Sequence, residues 1–305
     1  MGHGHTHATG RAEDRARLRV VLALTVAVLL AEVAGAWWSG SLALLADAGH
    51  LATDAGALTL ALAASYMATR PASNRRTFGL HRAEILAALV NALLLLVVCG
   101  YLAVEGVRRL ADPPSVQGGP MLAFSLTGLV VNGLAAGLLR QRQDSSLNMR
   151  AAYLEVLGDL VGSLVVVVAA VLVLTRGFVR ADPVASLLIA AVILPRCLML
   201  VKEAVEVLLE GTPAGLDLDE VRGHLLRSAG VIDVHDLHAW TITNGLPSLS
   251  VHVTVDDATL GEVGVGALLD RFSACVAEHF EVEHATFQIE PASHRAHEEL
   301  GEAHP

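Results

Sequence analysis

Six apolar stretches, at roughly 18–38, 41–68, 83–110, 120–139, 151–175 and 182–209, constrain this chain more than anything else in it. Each holds about 20 residues or more, enough for an α-helix to cross the hydrocarbon core of a bilayer. Backbone N–H and C=O groups find no water there and must be satisfied within the segment. Six such stretches therefore demand six helices packed as a bundle, with lipid as the first partner. At 53% hydrophobic and 17% charged residues, the chain is not an ordinary soluble domain. Residues 1–17 lead into the first span without a signal-peptide pattern and are expected to form a disordered, His-bearing tail, as are residues 293–305. The transmembrane domain is expected over 18–210.

An even number of spans puts both termini on one side. Arg11, Arg15, Arg17 and Arg19, then Arg70, Arg75, Arg76 and Arg82, then Arg140, Arg142 and Arg150 all fall on that side. The opposite side has Arg108, Arg109, Arg176 and Arg180. The bias predicts cytoplasmic termini, and Trp37 and Trp38 suit the outer interface. The net charge of −10 lies largely in the C-terminal part and no basic stripe exists, so nucleic acid is not an expected partner. Cys99, Cys197 and Cys275 are isolated, with no CxxC, and indicate neither a disulfide framework nor a thiolate metal site.

Gly211 and Pro213 end the sixth span, and residues 211–292 read as a cytoplasmic α+β domain. "LDLDEVRGHLLRSA" reads as a helix, "VIDVHDLHAWTIT" and "LPSLSVHVTVDD" as strands joined by an Asn-Gly turn, "TLGEVGVGALLDRFSACVAEHF" as one further helix and "VEHATFQIE" as a last strand. This αββαβ order suits a small ferredoxin-like fold.

Within the spans, His50 and Asp54 are four residues apart and share one helix face. The fifth span repeats the spacing with Glu155 and Asp159 in "YLEVLGDLVGS". Ionisable groups in hydrocarbon are costly and mark function. Two such pairs on facing helices could enclose a divalent ion, zinc first, with one imidazole and three carboxylates. All three carboxylates ionised around a neutral His50 would be expensive, so one of them, Glu155, is expected to hold a proton. Asp47 either lines an exit or bonds at an interface; Glu32, Glu84 and Glu105 read as lone carboxylates, and Asn132 as interhelical glue.

In the soluble domain, strand alternation turns Val251, Val253 and Val255 to the core and His252 and Thr254 away. Likewise Ala285, Phe287 and Ile289 face the core, and His284, Thr286, Gln288 and Glu290 the open face. By the same parity His238 lies opposite His235 and is structural. His3, His5, His7, His294, His297 and His304 could at most raise local metal concentration.

The stretches "GSLALLADAGHLATDAGAL", "RRTFGLHRAEILAALVNALLLL", "SLNMRAAYLEVLGDLVGSLVVVVAA" and "ADPVASLLIAAVILPRCLMLVKEAVEVLLEGTP" resemble the cation diffusion facilitator family, most closely its bacterial zinc-exporting branch. The resemblance implies a homodimeric exporter in the inner membrane that moves cytosolic divalent metal out in exchange for protons by alternating access. It implies no prosthetic group. It places the transport site on His50, Asp54, Glu155 and Asp159, with Glu155 standing where zinc-type members carry histidine, which bears on selectivity among Zn²⁺, Mn²⁺, Fe²⁺, Co²⁺ and Cd²⁺. It places regulatory ligands at His235, His252 and Glu290, with Glu283 or His284 nearby. The family's loop site between spans two and three is not matched by Arg76 and Leu80, although His81 is close. Two other classes remain open to the residues alone: an intramembrane metallohydrolase, which would need an open coordination position and a spare base, and a membrane-tethered metal sensor, which would leave the buried ligands without a role.

Overall fold

A computed structural model of the protein describes residues 5–68, 73–140, 147–243, 246–282 and 284–294. Six long helices come first: α1 (His5–Ser39), α2 (Leu42–Ala68), α3 (Arg82–Ala111), α4 (Gly118–Arg140), α5 (Leu147–Arg176) and α6 (Ala181–Leu208). Among the described residues, five of them are long and apolar enough to cross a membrane. The sixth, α2, has 27 residues, about 40 Å at 1.5 Å per residue, and carries Asp47, His50 and Asp54 in its first half. The disordered tail expected over 1–17 is corrected from residue 5 onward, because α1 begins at His5. The Ala- and Arg-rich run before the span has high helix propensity, and a helix already nucleated in the span extends into it at little cost.

The first compact unit comprises Met1–Leu62 and Ala87–Val201. At one end of it the α1–α2, α3–α4 and α5–α6 connections are tied together. The backbone N–H of Gln117 donates to the carbonyl of Ser39 at 2.9 Å. Arg109 Nη1 donates to the Gly40 carbonyl at 2.8 Å, and Arg180 Nε to that of Leu110 at 3.0 Å. Gly40 has φ +72°, the left-handed turn that lets α1 end and α2 start within two residues. Asp182, fully buried in the first turn of α6, caps α2 from outside. Its carboxylate accepts from Ser41 Oγ at 2.5 Å, Leu42 N–H at 2.9 Å and Ala43 N–H at 3.1 Å. A negative group at these otherwise orphaned donors is favoured by the helix dipole as well.

The bundle core runs from Leu42, Ala43 and Ala46 through Leu95 and Leu102 to Ala169, Ala170, Ala185 and Ala190. So many small side chains permit the close backbone approach on which helix association in lipid depends. Gly162 of α5 is the tightest such place for the site. A Cβ there would lie 2.8 Å from Asp47 Oδ1, so any other residue would make the Asp47 carboxylate shift.

The second unit comprises Lys202–Pro305 and Ala63–Leu86. Its elements are α7 (Leu218–Leu226), β1 (Val231–Thr243), β2 (Leu246–Val255), α8 (Asp257–Val263), α9 (Val265–Phe280) and β3 (His284–Pro291). β2 is central, antiparallel to β1 and parallel to β3. Val221 and Leu225 of α7 and Leu268, Phe272 and Val276 of α9 pack on Val251 and Val253 of β2. The single helix expected over 259–280 is two. Gly264, at φ +82°, breaks it, and Asp256 caps the first piece by accepting from the Thr259 N–H at 2.8 Å. Bonding to Thr259 also holds the Asp256 carboxyl below its usual range.

Strand β1 carries a bulge. His235 pairs with His252, but His238 pairs with Ser250, so three residues of β1 oppose two of β2, and Asp236 takes φ +50°. The extra residue reverses parity beyond it. His238 is therefore on the same face as His235 and His252, which corrects the reading from strict alternation.

Replacing Asp182 by alanine strands one hydroxyl and two helix-terminal N–H groups in a buried place. At about 1–3 kcal/mol per unsatisfied group, shared among relaxed neighbours, Asp182→Ala is expected to cost about 2–4 kcal/mol, read as a lower thermal midpoint in detergent. An unchanged midpoint would mean that α2 starts without this cap.

Candidate metal centres

Three polar side chains meet between α2 and α5. His50 Nε2 lies 3.5 Å from Asp54 Oδ2 on its own helix and 3.6 Å from Asp159 Oδ1 on the other. One ligand atom from each lies within 4.8 Å of the other two. Asp54 and His50 are partly buried, and Asp159 is 3% exposed. His50 Nδ1, Asp54 Oδ2 and Asp159 Oδ1 have no hydrogen-bond partner among the described residues. Buried polar atoms normally have hydrogen-bond partners, and two carboxylate oxygens without one, both facing His50 Nε2, form a cradle for a cation.

Glu155 is not in this cluster. It lies beside Asp54, but its Oε1 takes an ion pair with Arg196 Nη2 at 3.1 Å. The sequence reading met the excess negative charge with a proton on Glu155. The structure meets it with a guanidinium from α6, one residue after Pro195. Arg196 is the residue that sequence reasoning missed. Its signal was available, since a cation within an apolar span is itself unusual.

A second buried polar group adjoins the cradle. Asp47 is 2% exposed and accepts from Ser163 Oγ at 3.2 Å, while Asn132 Nδ2 donates to the same hydroxyl at 3.2 Å. Asn132 thus links α4 to α5, as expected. Glu32 of α1, 0% exposed, lies beside Asp47, and a Cβ on Gly128 would come within 2.6 Å of its Oε1. Glu32 is therefore not the lone carboxylate its position suggested. Glu105 instead pairs with Arg109 at 2.9 Å, and Glu84 accepts from Thr243 Oγ1 at 3.2 Å.

On the sheet of the second unit, the His235 and His252 rings meet edge to face at 5.3 Å across β1 and β2. Glu290 of β3 lies beneath them, with Oε1 at 2.9 Å from His252 Nδ1 and Oε2 at 3.4 Å from His235 Nε2. The three form a compact group. Glu290 is 2% exposed, so it sits under the imidazoles rather than on an open surface, and Gln288 Nε2 donates to its Oε1 at 2.7 Å. Asp236, raised by the bulge, is 3.4 Å from His238 and 3.9 Å from His252. His284 is not brought in. It begins β3 opposite Ser248, six residues or about 20 Å along the strand from Glu290, and its ring meets Phe78 at 5.7 Å. Glu283 falls outside the described residues, as do His3, His297 and His304.

Six long helices with ligand groups between two of them, joined to a small α+β domain carrying a second ligand cluster, define a multi-span metal transporter. Comparisons with known proteins agree. Residues 18–209 match the family described as cation efflux transmembrane domain, and residues 213–292 the cytoplasmic domain of cation efflux proteins. The metal cation efflux system protein CzcD of Cupriavidus metallidurans is 42% identical over 292 residues, covering 96% of this chain and 91% of that one. The zinc transporter ZitB of Escherichia coli is 39% identical, covering 95% and 93%. A cadmium, cobalt and zinc/H(+)-K(+) antiporter of Bacillus velezensis is 36% identical, covering 96% and 93%. A solved structure of the metal-bound C-terminal domain of CzcD is 40% identical, with a TM-score of 0.22, covering 25% of this chain and 99% of that one. The chain belongs to the cation efflux family, the cation diffusion facilitators. It is a metal cation efflux transporter and not an enzyme.

Proposed function

We propose that this transporter exports zinc in exchange for protons, with the ion held by His50, Asp54 and Asp159. The observation that carries the reading is the convergence of His50 Nε2, Asp54 Oδ2 and Asp159 Oδ1 between α2 and α5, with neither carboxylate oxygen hydrogen-bonded. One imidazole and two carboxylates suit zinc in a tetrahedral site whose fourth position is left to water or to Glu155. Each ligand must be free of its proton to bind the ion, so loading metal expels protons and reprotonation expels metal. Relatives named for zinc, cadmium and cobalt transport, one of them as an antiporter, support the same reading.

The protein works as a homodimer in the inner membrane with both termini in the cytoplasm. The arginine asymmetry, the even number of long helices and the match to a cytoplasmic domain support that placement. His235, His252 and Glu290 form a cytoplasmic metal site whose loading neutralises Glu290 and draws the domains of the dimer together. Selectivity is the part on which Glu155 and Arg196 bear. A carboxylate in place of imidazole admits harder ions such as Mn²⁺ and Fe²⁺. Tethered to Arg196, it contributes less to any ion than a free ligand would.

Asp54→Ala and Asp159→Ala are each expected to reduce zinc uptake by inverted proteoliposomes under a pH gradient by more than about 100-fold, since outer partners of a metal site alone are worth about 10–100-fold. Normal uptake by either would remove the assignment. Arg196→Gln should release Glu155 to the ion and remove a repelling charge. Zinc should then bind about tenfold tighter, near 1.4 kcal/mol, and turn over more slowly. Equal affinity would mean that the ion pair does not act on the site. For the cytoplasmic site, saturating zinc should raise the melting temperature of the soluble domain in the full chain, the bound ion being worth about 2.7 kcal/mol at 100 times its Kd. His252→Ala should lower that rise by this site's share, and an undiminished rise would exclude the assignment.

A further inference from the structure

The spacing of its cysteines left Cys275 without a metal partner; the fold gives it two. Cys275 and His279 lie one turn apart on α9, and α7, packed beside α9, brings His224. The Cys275 Sγ and one ring nitrogen of each histidine lie within 4.8 Å of one another. We propose that His224, Cys275 and His279 form a third metal site, on the helical layer of the soluble domain, that takes a thiolate-preferring divalent ion, zinc or cadmium.

Three features beyond proximity carry this. His279 Nδ1 lies 3.0 Å from the backbone carbonyl of Cys275, which can only accept. The proton therefore sits on Nδ1, and Nε2 keeps its lone pair for an ion, the orientation that metal-bound histidines almost always show. His224 has no hydrogen bond among the described residues, and its ring is braced edge to face against Phe280 at 5.2 Å, with its centroid 4.8 Å from that of His279. Access is open, because His224 and Cys275 are only partly buried and His279 is exposed. Zinc bonds of about 2.0–2.3 Å set ligand atoms about 3.3–3.8 Å apart, within a small rotamer adjustment of the observed spread.

The donor set separates this site from the other two. Those offer only imidazole and carboxylate, whereas a thiolate with two imidazoles selects zinc or cadmium over manganese or magnesium. The α7–α9 layer also covers the Val251 face of β2, while His252 projects from the other face, so the two soluble-domain sites are on opposite sides of the sheet. The site is independent of the transport reading. A thiolate–metal signal tests it whether or not His50, Asp54 and Asp159 hold the cargo.

The test is a Co²⁺ titration of the full-length protein in detergent, followed by the near-ultraviolet thiolate-to-cobalt charge-transfer band. A saturable band is expected that zinc and cadmium abolish by displacement. It should vanish in Cys275→Ser, need about tenfold more cobalt in His224→Gln, and persist in Cys99→Ser/Cys197→Ser and in His252→Ala. No band in the wild type, a band retained in Cys275→Ser, or wild-type affinity in His224→Gln would overturn the proposal. Should Cys275→Ser lose its fold by circular dichroism, alkylation of Cys275 in the wild type, read by mass spectrometry, decides. Slower labelling with zinc supports the site, and equal rates with and without zinc overturn it.

Discussion

The contact between α2 and α5 is the constraint on which the rest of the transmembrane unit depends. Two helices that carry ionisable groups must be pressed together in a medium that supplies no water to satisfy them. Gly162 leaves room for the Asp47 carboxylate between them, because a Cβ there would lie 2.8 Å from Asp47 Oδ1. Asp182 sets where α2 begins, and with it the level at which His50 and Asp54 face Asp159. The alanine-rich core then lets α3 and α6 close around the pair.

Electrostatics explains why such a site can exist at all. Isolated charges in a low-dielectric interior cost several kcal/mol each, so most of the buried carboxylates here have a counter-group. Asp182 has helix N–H groups, Glu155 has Arg196, Asp47 has Ser163, and Glu290 in the soluble domain has two imidazoles. Glu32 keeps both oxygens without a hydrogen bond, and Asp54 and Asp159 keep one each, facing His50 Nε2 at 3.5 and 3.6 Å. Under the proposed transport reading, the cation that fills this gap is the cargo, and protons replace it on the return. On the same reading, the ion pair of Arg196 with Glu155 bears on both charge balance and selectivity.

Much of this was legible in the sequence, for reasons that differ between elements. The six long helices and the order of the three strands follow from hydrophobic periodicity, which reports burial directly. His50, Asp54 and Asp159 were visible because helical spacing and intramembrane polarity both single them out. What escaped depended on partners remote in sequence or on single-residue irregularities. Arg196 pairs with Glu155 across 41 residues. The bulge at Asp236 reversed the parity that had sent His238 to the wrong face, and His284 shares a parity with Glu290 but lies at the other end of β3. Gly264 divided a helix that composition alone would have continued. The Cys275–His279 spacing was present in the sequence, but His224 joins it only through the packing of α7 on α9.

The central claim is that one imidazole and two carboxylates hold the transported ion. Zinc K-edge X-ray absorption of the full-length protein, with the soluble-domain sites removed by His252→Ala and Cys275→Ser, tests it most directly. The account predicts a shell of nitrogen and oxygen at about 2.0 Å with outer scattering from a single imidazole, lost on adding Asp159→Asn. Scattering from two or more imidazoles, a sulfur shell near 2.3 Å, or zinc retained with an unchanged spectrum in Asp159→Asn would contradict it.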